Sequence, residues 1–177
     1  MAKRLIWLLV FPLTLLSGNL NLENGSIKAH TEVFGDSAIE PAVNTLNADL
    51  NIDGNNLESV KGVISFQIKD FLSTNSGRDE HMQEMFEMDK YPSISFEILK
   101  ISKENQNYMV DGVMDVHGVK KSLILPVDIQ QDGNTIIMHS DFMVKVTDYG
   151  MEPPTLLFLD VRNEVDINAT LNLKVIE

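Results

Sequence analysis

The strongest constraint on the fold is a strict alternation of apolar and polar residues near the end of the chain. Six apolar residues there alternate with polar ones: Val165, Ile167, Ala169, Leu171, Leu173 and Val175. Successive side chains of a strand point to opposite faces of a sheet, so this pattern predicts a strand with one buried face. The same period recurs over residues 27–33, 46–52, 62–68, 93–101, 108–116, 123–129 and 136–146. Eight such strands, mostly joined by hairpins and without βαβ alternation, predict an all-β, antiparallel fold.

Short turn motifs connect several of these strands. Asp53-Gly54, His117-Gly118 and Asp132-Gly133 each lie between two alternating segments. A two-residue hairpin turn of type I′ needs positive φ at both central positions, which glycine adopts freely and histidine tolerates better than most residues. We therefore interpret His117 and Gly118 as structural turn residues, and we expect His117→Asn to be nearly silent.

A single amphipathic sheet of this length must cover its apolar face. It can stack as a sandwich or close as a barrel, and an eight-stranded barrel has room for side chains or one slim ligand. Several small residues fall on the inward faces: Ala29, Ala48, Gly62, Gly112 and Ala169. Such residues fit tight packing at a barrel corner or a ligand slot, and the pattern alone leaves both open.

One segment departs from the β pattern, and it predicts a short amphipathic helix over residues 78–88. Acidic Asp79 and Glu80 would lie in its first turn, where their negative charge interacts favourably with the positive end of the helix dipole. Met82, Met85 and Phe86 share one face at helical spacing. Lys90-Tyr91-Pro92 ends the helix, because the residue before a proline favours extended geometry, and the next strand begins at Ser93. We expect this helix to cover one barrel end with that face inward. Residues 147–155 are predicted to be an irregular loop at the barrel rim.

Two segments together resemble a known family. The sequence RDEHMQEMFEMDKYPSISF at 78–96 is followed by GVMDVHGVKKSLILPV at 112–127. Both motifs at this spacing are similar to the YceI-like family, whose members are secreted lipid-binding proteins with a lipocalin-like antiparallel barrel. The resemblance is clearest over residues 60–129, and it implies a long isoprenoid-type lipid as ligand. With that ligand class, the candidate ligand-binding residues are Phe66, Met82, Met85, Phe86, Phe96, Met114, Met138 and Phe142.

The N-terminus has the layout of a secretory signal peptide. Lys3-Arg4 precede an apolar run over residues 5–16, which is followed by the small residues Ser17-Gly18. The run is too short to span a bilayer comfortably, although an uncleaved N-terminal anchor is the alternative. We therefore predict a signal peptide over residues 1–18 and one barrel domain over 19–177. The protein would be exported, periplasmic or secreted, with no stable membrane insertion once the signal is removed. Asn19–Gly25 is predicted to be a polar linker.

Composition and missing motifs exclude several function classes. The chain has no cysteine, so thiolate metal sites and cysteine nucleophiles are excluded. Its net charge of −12 argues against nucleic acid, which needs a basic footprint. His30, His81, His117 and His139 form no H-x-H or H-E-x-x-H motif, and the chain has no G-x-S-x-G or phosphate-binding loop. We predict no metal, no cofactor and no catalytic activity.

Two functions remain, and they belong to different classes. The first is a secreted, non-catalytic protein that holds an isoprenoid-type lipid in the barrel. Because basic residues are scattered, its lipid should have a neutral, quinone-like or alcohol-like head rather than a pyrophosphate. The second is a solid-core β-domain that acts in envelope assembly or stress through protein contacts. The oligomeric state is left open.

Overall fold

The computed structural model describes residues 17–33, 37–105, 107–153, 155–156 and 159–176. The strands are β1 (Ser17–Val33), β2 (Ser37–Ile39), β3 (Ala42–Val43), β4 (Asn47–Asp53), β5 (Asn56–Gln67), β6 (Ser93–Glu104), β7 (Asn107–Val116), β8 (Val119–Asp132), β9 (Thr135–Lys145), β10 (Thr155–Leu156), β11 (Leu159–Asp160) and β12 (Glu164–Ile176). The α-helix α1 spans Ser76–Met85, and 3-10 helices span Ile68–Asp70 and Val146–Tyr149.

Eight long strands form a closed antiparallel barrel, which confirms the predicted fold. Its order is β4, β5, β6, β7, β8, β9, β12 and β1, and pairing of β1 with β4 closes the ring. Short β2 and β3 pair with β1, while β10 and β11 form a separate small ribbon. Each of the eight predicted segments overlaps one barrel strand. The prediction works because alternation depends only on residues that are neighbours in the chain.

The barrel begins earlier in the chain than the sequence indicates. Asn19–Gly25, predicted to be a linker, belongs to β1 and pairs with β12. The prediction is wrong because Leu20 and Leu22 supply inward apolar residues, while a bulge after Leu22 breaks the alternation. Ser17 and Gly18 also pair with β4, although the predicted signal peptide includes them. Residues 1–16 of that predicted segment lie outside the described residues.

The helix is shifted toward the N-terminus relative to its prediction. Its N-cap is Asn75, whose side chain accepts a hydrogen bond from the Arg78 N–H at 3.1 Å. The helix stops at Met85, three residues before the predicted end, and Glu87 then has a φ of 46°. A non-glycine residue with positive φ cannot continue a right-handed helix, so the chain turns there.

Two clusters of buried side chains lie at opposite ends of the barrel. The turn-end cluster, near the β4–β5 and β8–β9 turns, contains aliphatic residues: Leu20, Leu50, Ile52, Val60, Ile98, Ile101, Val110, Val127, Ile136, Met138, Leu171 and Leu173. The helix-end cluster lies beside α1 and contains Ile68, Phe86, Met114, Val116, Tyr149 and Met151. A smaller cluster on the β1–β5 side contains Ala29, Val43, Phe66 and Phe71.

The ladder between β8 and β9 is short. It runs only from Asp132↔Thr135 to Asp128↔His139, although both strands continue toward the helix end. Proline has no N–H for a ladder, and at Pro126 the carbonyl accepts instead from the Ser140 hydroxyl at 2.6 Å. Farther along, the 3-10 helix Val146–Tyr149 packs against β8.

The segment after β9 folds inward, so the predicted irregular rim loop is wrong for its first part. Tyr149 is 2% exposed and Met151 is 5% exposed. Gly150 lies between them with a φ of 72°, which lets the chain reverse after the 3-10 helix.

Candidate functional site

An apolar cavity of about 190 Å³ lies inside the barrel. Its walls come from every barrel strand except β4, and from the residues around α1 and the 3-10 helix Val146–Tyr149. It touches all three core clusters, for example at Leu171, Met114 and Phe66. Within the described part of the chain, no charged side chain lines it, so the cavity suits an uncharged apolar group.

The structure brings most of the predicted ligand-binding residues together. Six of them line the cavity: Phe66, Phe86, Phe96, Met114, Met138 and Phe142. Met82 and Met85 do not line it; they pack half-buried against the helix-end cluster. The difference follows from the early end of α1, where Phe86 is the C-cap. Of the three side chains that the predicted helix turned inward, only that of Phe86 lines the cavity.

Three of the small inward residues, Ala29, Gly112 and Ala169, fall into two groups. Ala29 and Ala169 line the cavity, so their small size widens it. Gly112 is different, because a Cβ there would lie 2.4 Å from Cζ of Phe96. The ring of Phe96 therefore fills the space above Gly112, and this glycine serves close packing.

A family profile described as the YceI-like domain matches residues 19–173, which is most of the chain. This protein belongs to the YceI-like family.

One curated relative of this YceI-like chain is distant in sequence. UPF0312 protein plu2095 of Photorhabdus laumondii is 26% identical over 89 residues. The match covers 49% of this chain and 46% of that relative, so it spans about half of each.

Two solved structures have the same fold. BcnA of Burkholderia cenocepacia has a TM-score of 0.73 at 17% identity, with 84% of this chain and 95% of BcnA covered. A polyisoprenoid binding domain from Saccharophagus degradans has a TM-score of 0.72 at 14% identity. That comparison covers 90% of this chain and 98% of the domain. At such identities the likeness establishes the fold.

One residue that lines the cavity of this YceI-like barrel has a buried hydroxyl without a partner in the described part of the chain, and the sequence does not single it out. Tyr149 lines the cavity, and its hydroxyl has no hydrogen-bond partner among the described residues. Burial raises the pKa of Tyr149 to about 12, and the neighbouring Asp148 carboxylate adds to the rise. The available signal was the spacing of Tyr149 and Met151 around Gly150, which resembles the alternation of a strand.

The His117-Gly118 turn is tied to the segment that follows α1. Its φ values are 54° and 72°, which is the positive-φ geometry expected of a type I′ turn. The His117 ring packs edge-on against Tyr91 with centroids 4.6 Å apart, and its Nε2 lies 3.5 Å from the Glu87 carboxylate. A Cβ on Gly118 would lie 2.5 Å from the Tyr91 ring. His117 therefore contributes contacts as well as turn geometry.

The side chains of His30 and His139 make their contacts on the outer surface of the barrel. His30 faces Glu40 and Glu32 at 3.2 and 3.4 Å, and hydrogen bonds to these carboxylates raise the pKa of His30. His139 lies 3.0 Å from both Thr170 and Asp141. Across the described residues, no three His, Asp or Glu side chains gather in a way that would hold a metal. Among the same residues, no helix has the length and apolar character needed to cross a membrane.

Proposed function

We propose that this protein is an exported, non-catalytic binding protein for a long apolar lipid with an isoprenoid-type chain. The lipid would lie inside the barrel, against Phe66, Phe86, Phe96, Met114, Met138 and Phe142. The observation that carries this proposal is the uncharged cavity, because a barrel that acted only through its outer surface would have no need of one.

The cavity is large enough to begin such an interaction. An apolar cavity of about 150 Å³ can bind benzene, so about 190 Å³ admits a ring or a short piece of chain. Burying apolar surface contributes roughly 25 cal/mol per Å², so a few hundred Å² of a slim chain offsets the entropy cost of ordering it. The Met114 and Met138 thioethers in the wall can adjust to an irregular chain.

The lipid class is supported by likeness and by the chemistry of the wall. A structure of the same fold is described as a polyisoprenoid binding domain. An anionic head group would need several cationic donors, and none lines this cavity within the described residues. We therefore favour a neutral, quinone-like or alcohol-like head over a pyrophosphate.

Export is supported by the basic start, the apolar run and the absence of cysteine in the sequence. We expect a mature N-terminus close to residue 19. N-terminal sequencing of the protein recovered from the periplasm or medium tests this, and an intact Met1 in a membrane fraction would instead favour the uncleaved anchor.

Native mass spectrometry tests lipid binding directly. The protein purified from cells should carry a lipid adduct, and delipidated protein should regain mass when a prenylquinone is added. A prenyl pyrophosphate offered in competition should bind more weakly. If delipidated protein takes up no prenyl lipid, the barrel interior has no such ligand, and a role through protein contacts would replace this proposal.

A further inference from the structure

The wall of the cavity contains one buried hydroxyl without a partner. Tyr149 is 2% exposed and lines the cavity at the helix end. Its hydroxyl finds no hydrogen-bond partner among the described residues. A buried tyrosine hydroxyl normally has a partner, because removing it from water without one is unfavourable. A ligand in the cavity can provide that partner.

Other polar side chains do not compete for this role. Ser140 also lines the cavity, but its hydroxyl donates to the Pro126 carbonyl at 2.6 Å. Ser95 is the third hydroxyl residue of the wall, but it lies on β6 between Ile94 and Phe96, which both line the cavity, so strand alternation points its side chain to the outer face. In the described part of the chain, the second such atom is His117 Nε2, and His117 is not in the wall.

The state of the phenol defines the group that it can bind. Burial raises the pKa of Tyr149 to about 12, so the hydroxyl stays protonated and can donate. The described wall has no cation that would compensate a phosphate, and Asp148 beside Tyr149 would repel one. The matching acceptor is an uncharged oxygen, such as a quinone carbonyl, an ether or an alcohol.

We propose that Tyr149 anchors the ligand by donating a hydrogen bond to an uncharged oxygen of its head group. The head then lies at the helix end, near Phe86 and Met114, and the tail points toward Met138 and Leu171. This inference rests on the proposed function, and it adds a direction for the bound lipid and a residue that determines head-group specificity.

The test compares two probes on delipidated full-length protein. One is a naphthoquinone with a four-unit isoprenoid tail, and the other is squalene, a hydrocarbon built from isoprene units. Tyr149→Phe should weaken quinone binding about tenfold, as the loss of one buried hydrogen bond predicts, and change squalene binding less than about twofold. Tyr108→Phe is the matched control, since Tyr108 is half-buried outside the cavity wall, and it should change neither.

Each outcome has a distinct meaning. If wild type binds both probes and Tyr149→Phe binds the quinone equally well, the anchor is refuted while the proposed function stands. Equal losses for both probes would reduce Tyr149 to a packing role and would also refute the anchor. If wild type binds neither probe, the proposed function fails, and this inference fails with it.

A spectroscopic measurement protects the test against a folding defect in the variant. The carbonyl stretch of the bound quinone should move to lower wavenumber in wild type than in hydrocarbon solvent, because a donated hydrogen bond weakens the C=O bond. With carbonyl ¹³C labels, infrared difference spectra can assign that band. Wild-type protein with bound quinone but an unshifted band would overturn the proposal, whatever the variant does.

Discussion

The two ends of the barrel are built from different side chains. At the turn end, branched aliphatic residues are fully buried, including Ile52, Val60, Ile136 and Leu173. At the helix end, aromatic residues and methionines replace them, and Met82, Met85 and Met88 pack there only half-buried. Stiff β-branched residues define one packing, whereas thioethers adapt to several. We infer that the turn end supplies stability and the helix end supplies adaptability toward a ligand.

The largest effect should come from truncation at the turn end. Leu173 is 0% exposed and packs in the turn-end cluster, so Leu173→Ala should lower the free energy of unfolding by about 2–5 kcal/mol. Urea denaturation of delipidated protein measures this. Ile124→Ala is the control, because Ile124 is 67% exposed and should cost less than about 0.5 kcal/mol. A loss below 1 kcal/mol for Leu173→Ala would mean that the two ends do not differ as described.

The second effect is an alkaline loss of stability from the helix end. The folded pKa of Tyr149 is about 12, above the ordinary value of 10, so the unfolded chain releases this proton first. The contribution of the Tyr149 phenol to stability is therefore complete below pH 10 and is lost as the pH rises through about 12. At 1.36 kcal/mol per pKa unit, the shift from 10 to about 12 corresponds to a full loss of about 3 kcal/mol.

Urea denaturation at pH 9 and at pH 11.5 measures that loss in wild type and in Tyr149→Phe. The variant lacks the titrating phenol, whereas every other titratable group is shared, so wild type should lose more stability than the variant. Parallel losses in both proteins would show that Tyr149 is more hydrated than its burial indicates.

The third effect separates ligand retention from stability. Phe86 is 8% exposed but borders the cavity, so part of its ring faces that space instead of other side chains. Truncation therefore removes fewer packing contacts than at a fully packed position. Phe86→Ala should therefore cost only about 1–2 kcal/mol, below the usual range for a buried phenylalanine, yet speed the transfer of bound lipid to acceptor vesicles. A cost of 3–5 kcal/mol with unchanged transfer would make Phe86 an ordinary core residue.

A tryptophan at the same position reports on the ligand. Trp7 is the single tryptophan of the chain and lies in the predicted signal peptide, so Phe86→Trp should give the mature protein one reporter. Its emission should shift to the blue when lipid binds. An emission that ignores a lipid shown independently to bind would place the ligand away from the helix end.

The smallest effect concerns the turn beside α1. The sequence predicts that His117→Asn is nearly silent, because asparagine tolerates positive φ. The structure adds the edge-on contact with Tyr91, so we now expect a loss of about 0.5–1.5 kcal/mol in thermal unfolding. Glu87→Gln, which removes only the exposed carboxylate, should cost less. Unchanged melting together with lost lipid binding would instead give His117 a direct functional role.

The sequence predicts the barrel well because its signals are local. Alternation in β12 and turn motifs such as Asp132-Gly133 depend on neighbours in the chain, and all eight barrel strands were found from them. The N-terminal half of β1 was missed because a bulge after Leu22 interrupts its period, and its place is fixed by pairing with β12 at the other end of the chain.

The cavity wall is harder to predict, because it depends on where each element ends. Met82, Met85 and Phe86 all pack in the helix-end cluster, but α1 stops at Met85, and of these three only Phe86 lines the cavity. Tyr149 was placed at the rim because Gly150 and two prolines suggest a loop. In the structure Tyr149 lies in a 3-10 helix that packs against β8 and β9, and its side chain is buried.

The short β8–β9 ladder has a consequence for the circumference of the barrel. Strand number and stagger determine the radius of a barrel when every neighbouring pair is hydrogen-bonded along its length. Here the β8–β9 ladder stops at Asp128↔His139, and beyond it the Ser140 hydroxyl donates to the Pro126 carbonyl and the 3-10 helix Val146–Tyr149 packs against β8. Because no described residues of β8 and β9 form a backbone ladder near the helix end, we expect substitutions there to widen or narrow the bore without changing the number of strands.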